Sequence, residues 1–99
     1  NISMSDCVFC KIVAGEIAAN KRFEDSGVVV FDDIHPDAPT HVLIVPKKHI
    51  VDLVDLRDLE SLPLIVEKLG LQEGYRLIVN AGKYQEVKHL HYHLKGGMK

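Results

Sequence analysis

The sequence predicts an α+β fold, a mostly antiparallel five-stranded sheet with a few short helices. Three observations carry that expectation. Short apolar or alternating runs are separated by tight turns, the mark of strands joined as a meander. Two stretches with helical spacing fall between those strands. Residues 87–94 alternate imidazole with apolar side chains at the period of a strand, so His89, His91 and His93 share one face and Leu90, Tyr92 and Leu94 the other.

Taken in order, Ser5 or Asp6 stands where a helix over residues 7–14 needs a cap, and Gly15 ends that helix. Phe9, Ile12 and Val13 form its buried stripe. Residues 21–24 and 28–32 read as strands around an Asp25-Ser26-Gly27 hairpin turn. Two prolines keep residues 33–39 irregular. Residues 40–45 form a strand apolar enough for a sheet interior, stopped by Pro46. The spacing of Val51, Leu53, Val54 and Leu56 predicts one or two helical turns within 51–59. Ser61 caps a second helix, with Pro63 at a permitted early position and Gly70 as its stop. Residues 75–80 are a strand, 81–86 a loop and 87–94 the histidine strand, after which Gly96-Gly97 releases the chain.

Ninety-nine residues bound one domain, expected over residues 4–99, with Asn1-Ile2-Ser3 set aside as a cloning remnant and Met4 as the native start. A hydrophobic content of 46% without low-complexity runs argues for a globular fold. A core this small calls for help from a partner subunit or a bound ion. The formal charge of −2 supplies no basic field, so duplex nucleic acid is not an expected partner, whereas a small anion can still be held by local geometry. No apolar run approaches the roughly 20 residues that span a bilayer, and no signal-peptide pattern opens the chain. No membrane partner is therefore expected, and the cytoplasm is the expected compartment. There, two cysteines read as thiols or metal ligands rather than a structural disulfide. Cys7 and Cys10, three apart, fall on one face of a helix or a tight knuckle and suit one shared ion; two free buried thiols or a redox pair are the other readings. For the histidine row, a rigid strand is a good platform for catalysis. A metal-binding strand or plain exposed imidazoles are the rival readings.

His89-Leu90-His91-Tyr92-His93-Leu94 fits the signature His-φ-His-φ-His-φ-φ, with φ apolar, until the last place, where Lys95 is not apolar. The chain thereby resembles the histidine triad (HIT) family, over nearly its whole length from Asp6 onward. Residues 7–12 with Gly15-Glu16-Ile17, residues 38–49, residues 74–80, and Gln85 four places before His89 supply the other matching blocks. Gly96-Gly97 is similar to the Hint branch, the nucleoside phosphoramidate hydrolases, more than to the dinucleoside polyphosphate branch.

That resemblance implies a HIT-like fold and cleavage of the P–N bond of purine nucleoside phosphoramidates through a covalent nucleotidyl-histidine. Imidazole suits the task, being neutral and nucleophilic near pH 7 and a good leaving group once on phosphorus. His91 is implied as the nucleophile, with His93 and His41 on the non-bridging phosphate oxygens and Gln85 as a further donor to them. The family's ribose acid falls on Asp33, with Ile34 and Phe23 as walls for the base and Asn80 near the sugar or phosphate. Without the resemblance, these would be a turn-capping Asp, core Ile and Phe, a buried strand His and an Asn ending a strand. Cys7, Cys10, His49 and His89 resemble the zinc set of a subset of the family, which would make His89 a structural ligand within the catalytic row. Members usually pair as two-fold homodimers.

Three departures bear on function. Tyr84 stands where a glycine is usual, and residues 51–73 are shorter than the usual helical insert. Glu86 replaces a Ser or Thr that faces the leaving group, and a carboxylate there would repel phosphate, slow turnover or favour a cationic leaving group. The alternatives are a dinucleoside polyphosphate hydrolase, a zinc-stabilised nucleotide-binding or interaction module with little turnover, and a plain metal-binding module.

Overall fold

The structure, a computed structural model, describes residues 7–98. Five strands, β1 (Lys21–Glu24), β2 (Val28–Asp32), β3 (Thr40–Pro46), β4 (Tyr75–Val79) and β5 (Tyr92–Gly96), form one sheet in the order β1-β2-β3-β5-β4. Every neighbouring pair is antiparallel. The expected α+β architecture is therefore the observed one. Two helices, α1 (Val8–Val13) and α2 (Leu62–Leu69), cover its two faces.

The central strands are buried on both sides. Val28, Val30, Val42 and Ile44 pack with Leu90, Tyr92 and Leu94 beneath Ile65 and Val66 of α2. Val29, Phe31, Leu43 and Val45 face the other way and pack with Phe9 and Ile12 of α1. That explains why β2 and β3 read as continuous apolar runs instead of alternating ones.

The helix ends follow from their local chemistry. The Ser5 or Asp6 cap falls outside the described residues; Cys7 takes the cap position, its Sγ accepting the Cys10 N–H at 3.4 Å. Gly15 and Gly70 adopt φ of +79° and +71°, the left-handed region that lets the chain leave each helix. Ser61 does occupy the cap position of α2, but its hydroxyl donates to Asp25 at 2.5 Å rather than capping the helix.

Three sequence expectations are corrected. The strand placed over residues 87–94 begins only at Tyr92 and runs on to Gly96, so Gly96 still belongs to the sheet. Continuing the β3–β5 register would set Leu90 opposite Pro46, which has no N–H to give the ladder. The Leu90 N–H goes instead to the Ile50 carbonyl at 2.7 Å. The helical turns expected within 51–59 shrink to one tight turn, Leu56–Leu59. There Val51, Leu53, Val54 and Leu56 are all exposed, so their spacing buries no stripe, and the Val51 carbonyl is engaged by the Gln85 side chain. The third concerns Phe23. A register shift between Lys21 and Phe23 sets Phe23 opposite Val30, which turns its ring toward the α2 side, where it packs on that core.

Candidate active site

On the α1 side, a cavity of about 530 Å³ opens between α1, the loop after β2, and the histidine-bearing ends of β3 and β5. His41, His91 and His93 line it, as do Asp33, Ile34, Asn80 and Glu86. The structure thus brings together seven of the residues singled out from sequence. Gln85 and Phe23 are not among the lining residues. Gln85 is buried outside the cavity lining, and its amide nitrogen donates to the Val51 carbonyl. Phe23 is carried to the opposite face by the β1 irregularity.

The three rings of the row all lie on the α1 side, but they serve two places. Phe9 meets His91 edge-on at 5.0 Å and His89 at 5.9 Å between ring centres, so one helix residue wedges both rings. His93 meets His91 edge-on at 5.1 Å between ring centres. Nδ1 of His91 lies 2.9 Å from the His89 carbonyl, so it carries the proton and donates, which leaves Nε2 with a lone pair. Burial, and then the neighbouring His91 and His41, push the His93 pKa down, so it is neutral near pH 7.

Around them, the loop after β2 is tied back to β3. His35 N–H donates to the Asp33 side chain at 2.8 Å, and Asp33 Oδ2 lies 3.3 Å from His41 Nε2. His41 Nε2 is also 3.0 Å from His93 Nδ1. Ile34 is 86% exposed at the cavity mouth, an apolar surface left open by the described residues. Two residues that the sequence reading passed over also belong here. Lys95 continues the alternation of His91 and His93, faces the cavity and donates to Asp37 at 2.8 Å. Asp37 in turn approaches His41 Nδ1 at 3.3 Å. Extending the period-two pattern by one step would have found Lys95.

The ring of His89 turns away from the cavity, toward the cysteines. Cys7 Sγ lies 3.3 Å and Cys10 Sγ 3.5 Å from its Nδ1, and Cys10 Sγ lies 3.1 Å from His49 Nδ1. Cys7, Cys10, His49 and His89 are close enough to hold one metal ion. Tetrahedral geometry with thiolate and imidazole ligands sets such sulfur–nitrogen edges at about 3.5 Å. His89 Nε2 donates to the Pro46 carbonyl at 2.8 Å, which leaves Nδ1 free as a ligand atom. Burial, reinforced by Cys7, pushes the Cys10 thiol up to about 11, so a Cys10 thiolate persists there only beside a cation.

Known proteins share this chain's sequence pattern and fold. The HIT domain family matches residues 14–99. A histidine triad protein from Clostridium difficile superposes with a TM-score of 0.89 at 42% identity, over 99% of this chain and 96% of that one. A HIT family hydrolase from Legionella pneumophila Philadelphia 1 gives 0.79 at 46% identity, over 94% of each chain. Protein HitA of Neisseria gonorrhoeae is 39% identical over 94% of this chain and 97% of its own length.

Proposed function

The chain belongs to the HIT domain family, and on that footing we propose that it is a hydrolase cleaving the P–N bond of purine nucleoside phosphoramidates. One observation carries the reading: the His89 carbonyl holds the proton of His91 on Nδ1, in a ring that lines a nucleotide-sized cavity. Nε2 of His91 attacks the α-phosphorus, and the P–N bond breaks as the amine departs with a proton from solvent. Water then attacks the nucleotidyl-imidazole, the P–Nε2 bond breaks, and the nucleoside monophosphate leaves with His91 regenerated. His93 and His41 face the phosphate and stabilise the charge that develops on its non-bridging oxygens. Asp33 accepts from the ribose hydroxyls, Asn80 lies beside the sugar, and Ile34 forms one wall of the base site.

Cys7, Cys10, His49 and His89 would hold zinc, whose contribution is a cross-link between α1 and the start of β5 and no chemical step. The exposed Tyr75, Ile78 and Val79 on the edge strand β4 support assembly as a homodimer, which sedimentation would check. The placement of Gly96-Gly97 after the triad favours the phosphoramidate branch over dinucleoside polyphosphates.

The test is to mix the protein with an adenosine phosphoramidate and follow AMP release, with rapid quenching to trap label on histidine. Release and label should both vanish in His91→Ala. Release that survives this change would overturn the assignment, and tight AMP binding without release in the unaltered protein would make the chain a nucleotide-binding module.

A further inference from the structure

Within the cavity, three ligand atoms of separate elements converge on one point. His41 Nε2 and His93 Nδ1 are 3.0 Å apart, and Asp33 Oδ2 lies 3.3 Å from the first and 3.9 Å from the second. A triangle with these sides has a circumscribed radius of about 2.0 Å, which is the bond length of an imidazole or carboxylate to a first-row divalent ion. An ion near the centre of that triangle would lie within bonding distance of all three ligand atoms. We propose that Asp33, His41 and His93 form a second metal site, a two-histidine, one-carboxylate set for a divalent ion such as Co²⁺, Ni²⁺ or Zn²⁺, distinct from the cysteine cluster.

The surroundings suit the role. In the structure the Asp37 N–H donates to His41 Nδ1 at 3.2 Å, so binding an ion through Nε2 requires the proton to move to Nδ1, where the Asp37 carboxylate 3.3 Å away can accept from it. Lys95 holds Asp37 in place at 2.8 Å. Asp33 is steadied by the His35 N–H. The donor set is imidazole and carboxylate without thiolate, which selects borderline transition ions over Ca²⁺ or Mg²⁺. The remaining coordination positions open onto the cavity, where water would fill them.

This site draws on the groups assigned above to ribose and phosphate, so its consequence for turnover rests on that reading: ion and nucleotide exclude one another, each weakening the other by the same factor. Binding itself does not depend on the reading. The experiment is a Co²⁺ titration of the full chain with its cysteine cluster already loaded with Zn²⁺, followed by visible absorption and calorimetry. A further equivalent of Co²⁺ should bind with d–d bands and no thiolate charge-transfer band. Asp33→Asn and His93→Gln should each weaken it roughly tenfold or more, while Cys10→Ser leaves it in place. Absence of that equivalent, or its persistence in both variants, would overturn the site. A Co²⁺ site lost in Asp33→Asn yet indifferent to AMP would uphold the metal proposal and count against the nucleotide reading of the cavity.

Discussion

Gly96 lies so close beneath Leu71 that a β-carbon added to it would stand inside contact distance of both Leu71 methyl groups. Leu71 is buried in the α2-side core, just past the turn that ends that helix. The first glycine of the pair after the triad therefore has a packing reason to be there: it lets α2's exit settle on β5. Gly96→Ala should cost about 1–3 kcal/mol, since core overpacking forces its neighbour off a good rotamer. In the Leu71→Ala background the same change should cost clearly less, and urea denaturation of the four proteins would measure the difference.

Ser61 and Asp25 bind the start of α2 to the β1–β2 turn, and the Ser61 hydroxyl is the main cause of the depressed Asp25 pKa. A carboxyl lowered in the folded state adds stability above its ordinary value of 3.8 and loses it as pH falls through the folded pKa. Ser61→Ala should therefore cost about 1 kcal/mol near pH 7, with the gap to the unaltered protein closing below the ordinary carboxyl range. Thermal melts across that acid range would show it; a gap that widens in acid would contradict the assignment.

Removal of an ion from Cys7, Cys10, His49 and His89 should lower Tm by roughly 5 °C or more, because the ligands then lose the partner that binding couples to folding. Melts with and without a strong chelator, alongside metal analysis, would check this. His49→Ala should reproduce the chelator's shift and become insensitive to further chelation.

Glu86 lines the cavity and is exposed, so on the proposed reaction its carboxylate would stand toward the leaving group. Glu86→Ser should raise turnover of neutral phosphoramidates by roughly tenfold and reduce the advantage of lysine-like amines, in keeping with about 1.4 kcal/mol of repulsion removed. Matched kcat/KM values on neutral and cationic substrates provide the measurement. The same preference in both proteins would count against a role for this residue.

Much of this molecule was legible because short-range rules govern it. The hairpin around Asp25-Ser26-Gly27, the glycine exits at 15 and 70 and the shared face of the histidine row all follow from local periodicity and turn chemistry. What escaped was set by partners far along the chain. The late start of β5 depends on Pro46, more than forty residues upstream, lacking an N–H where the ladder would need one. Gln85 reads as a free amide until Val51 is seen to occupy it. Phe23 alternates correctly for the cavity face, and only a local irregularity in β1 sends it to the other side. The gathering of His49 and His89 with the cysteines has no signature in spacing; family resemblance alone pointed to it.

Residue 89 contributes its ring to the cysteine cluster and its carbonyl to the ring of His91, the proposed nucleophile. A single peptide unit therefore joins the two, and the condition of the one reaches the other without any large motion. Loosening the cluster would let the acceptor drift from Nδ1 and leave the nucleotide's own contacts untouched. On the proposed reaction such a drift would register as slower chemistry at unchanged affinity, and reaction velocity would then double as a gauge of cofactor supply.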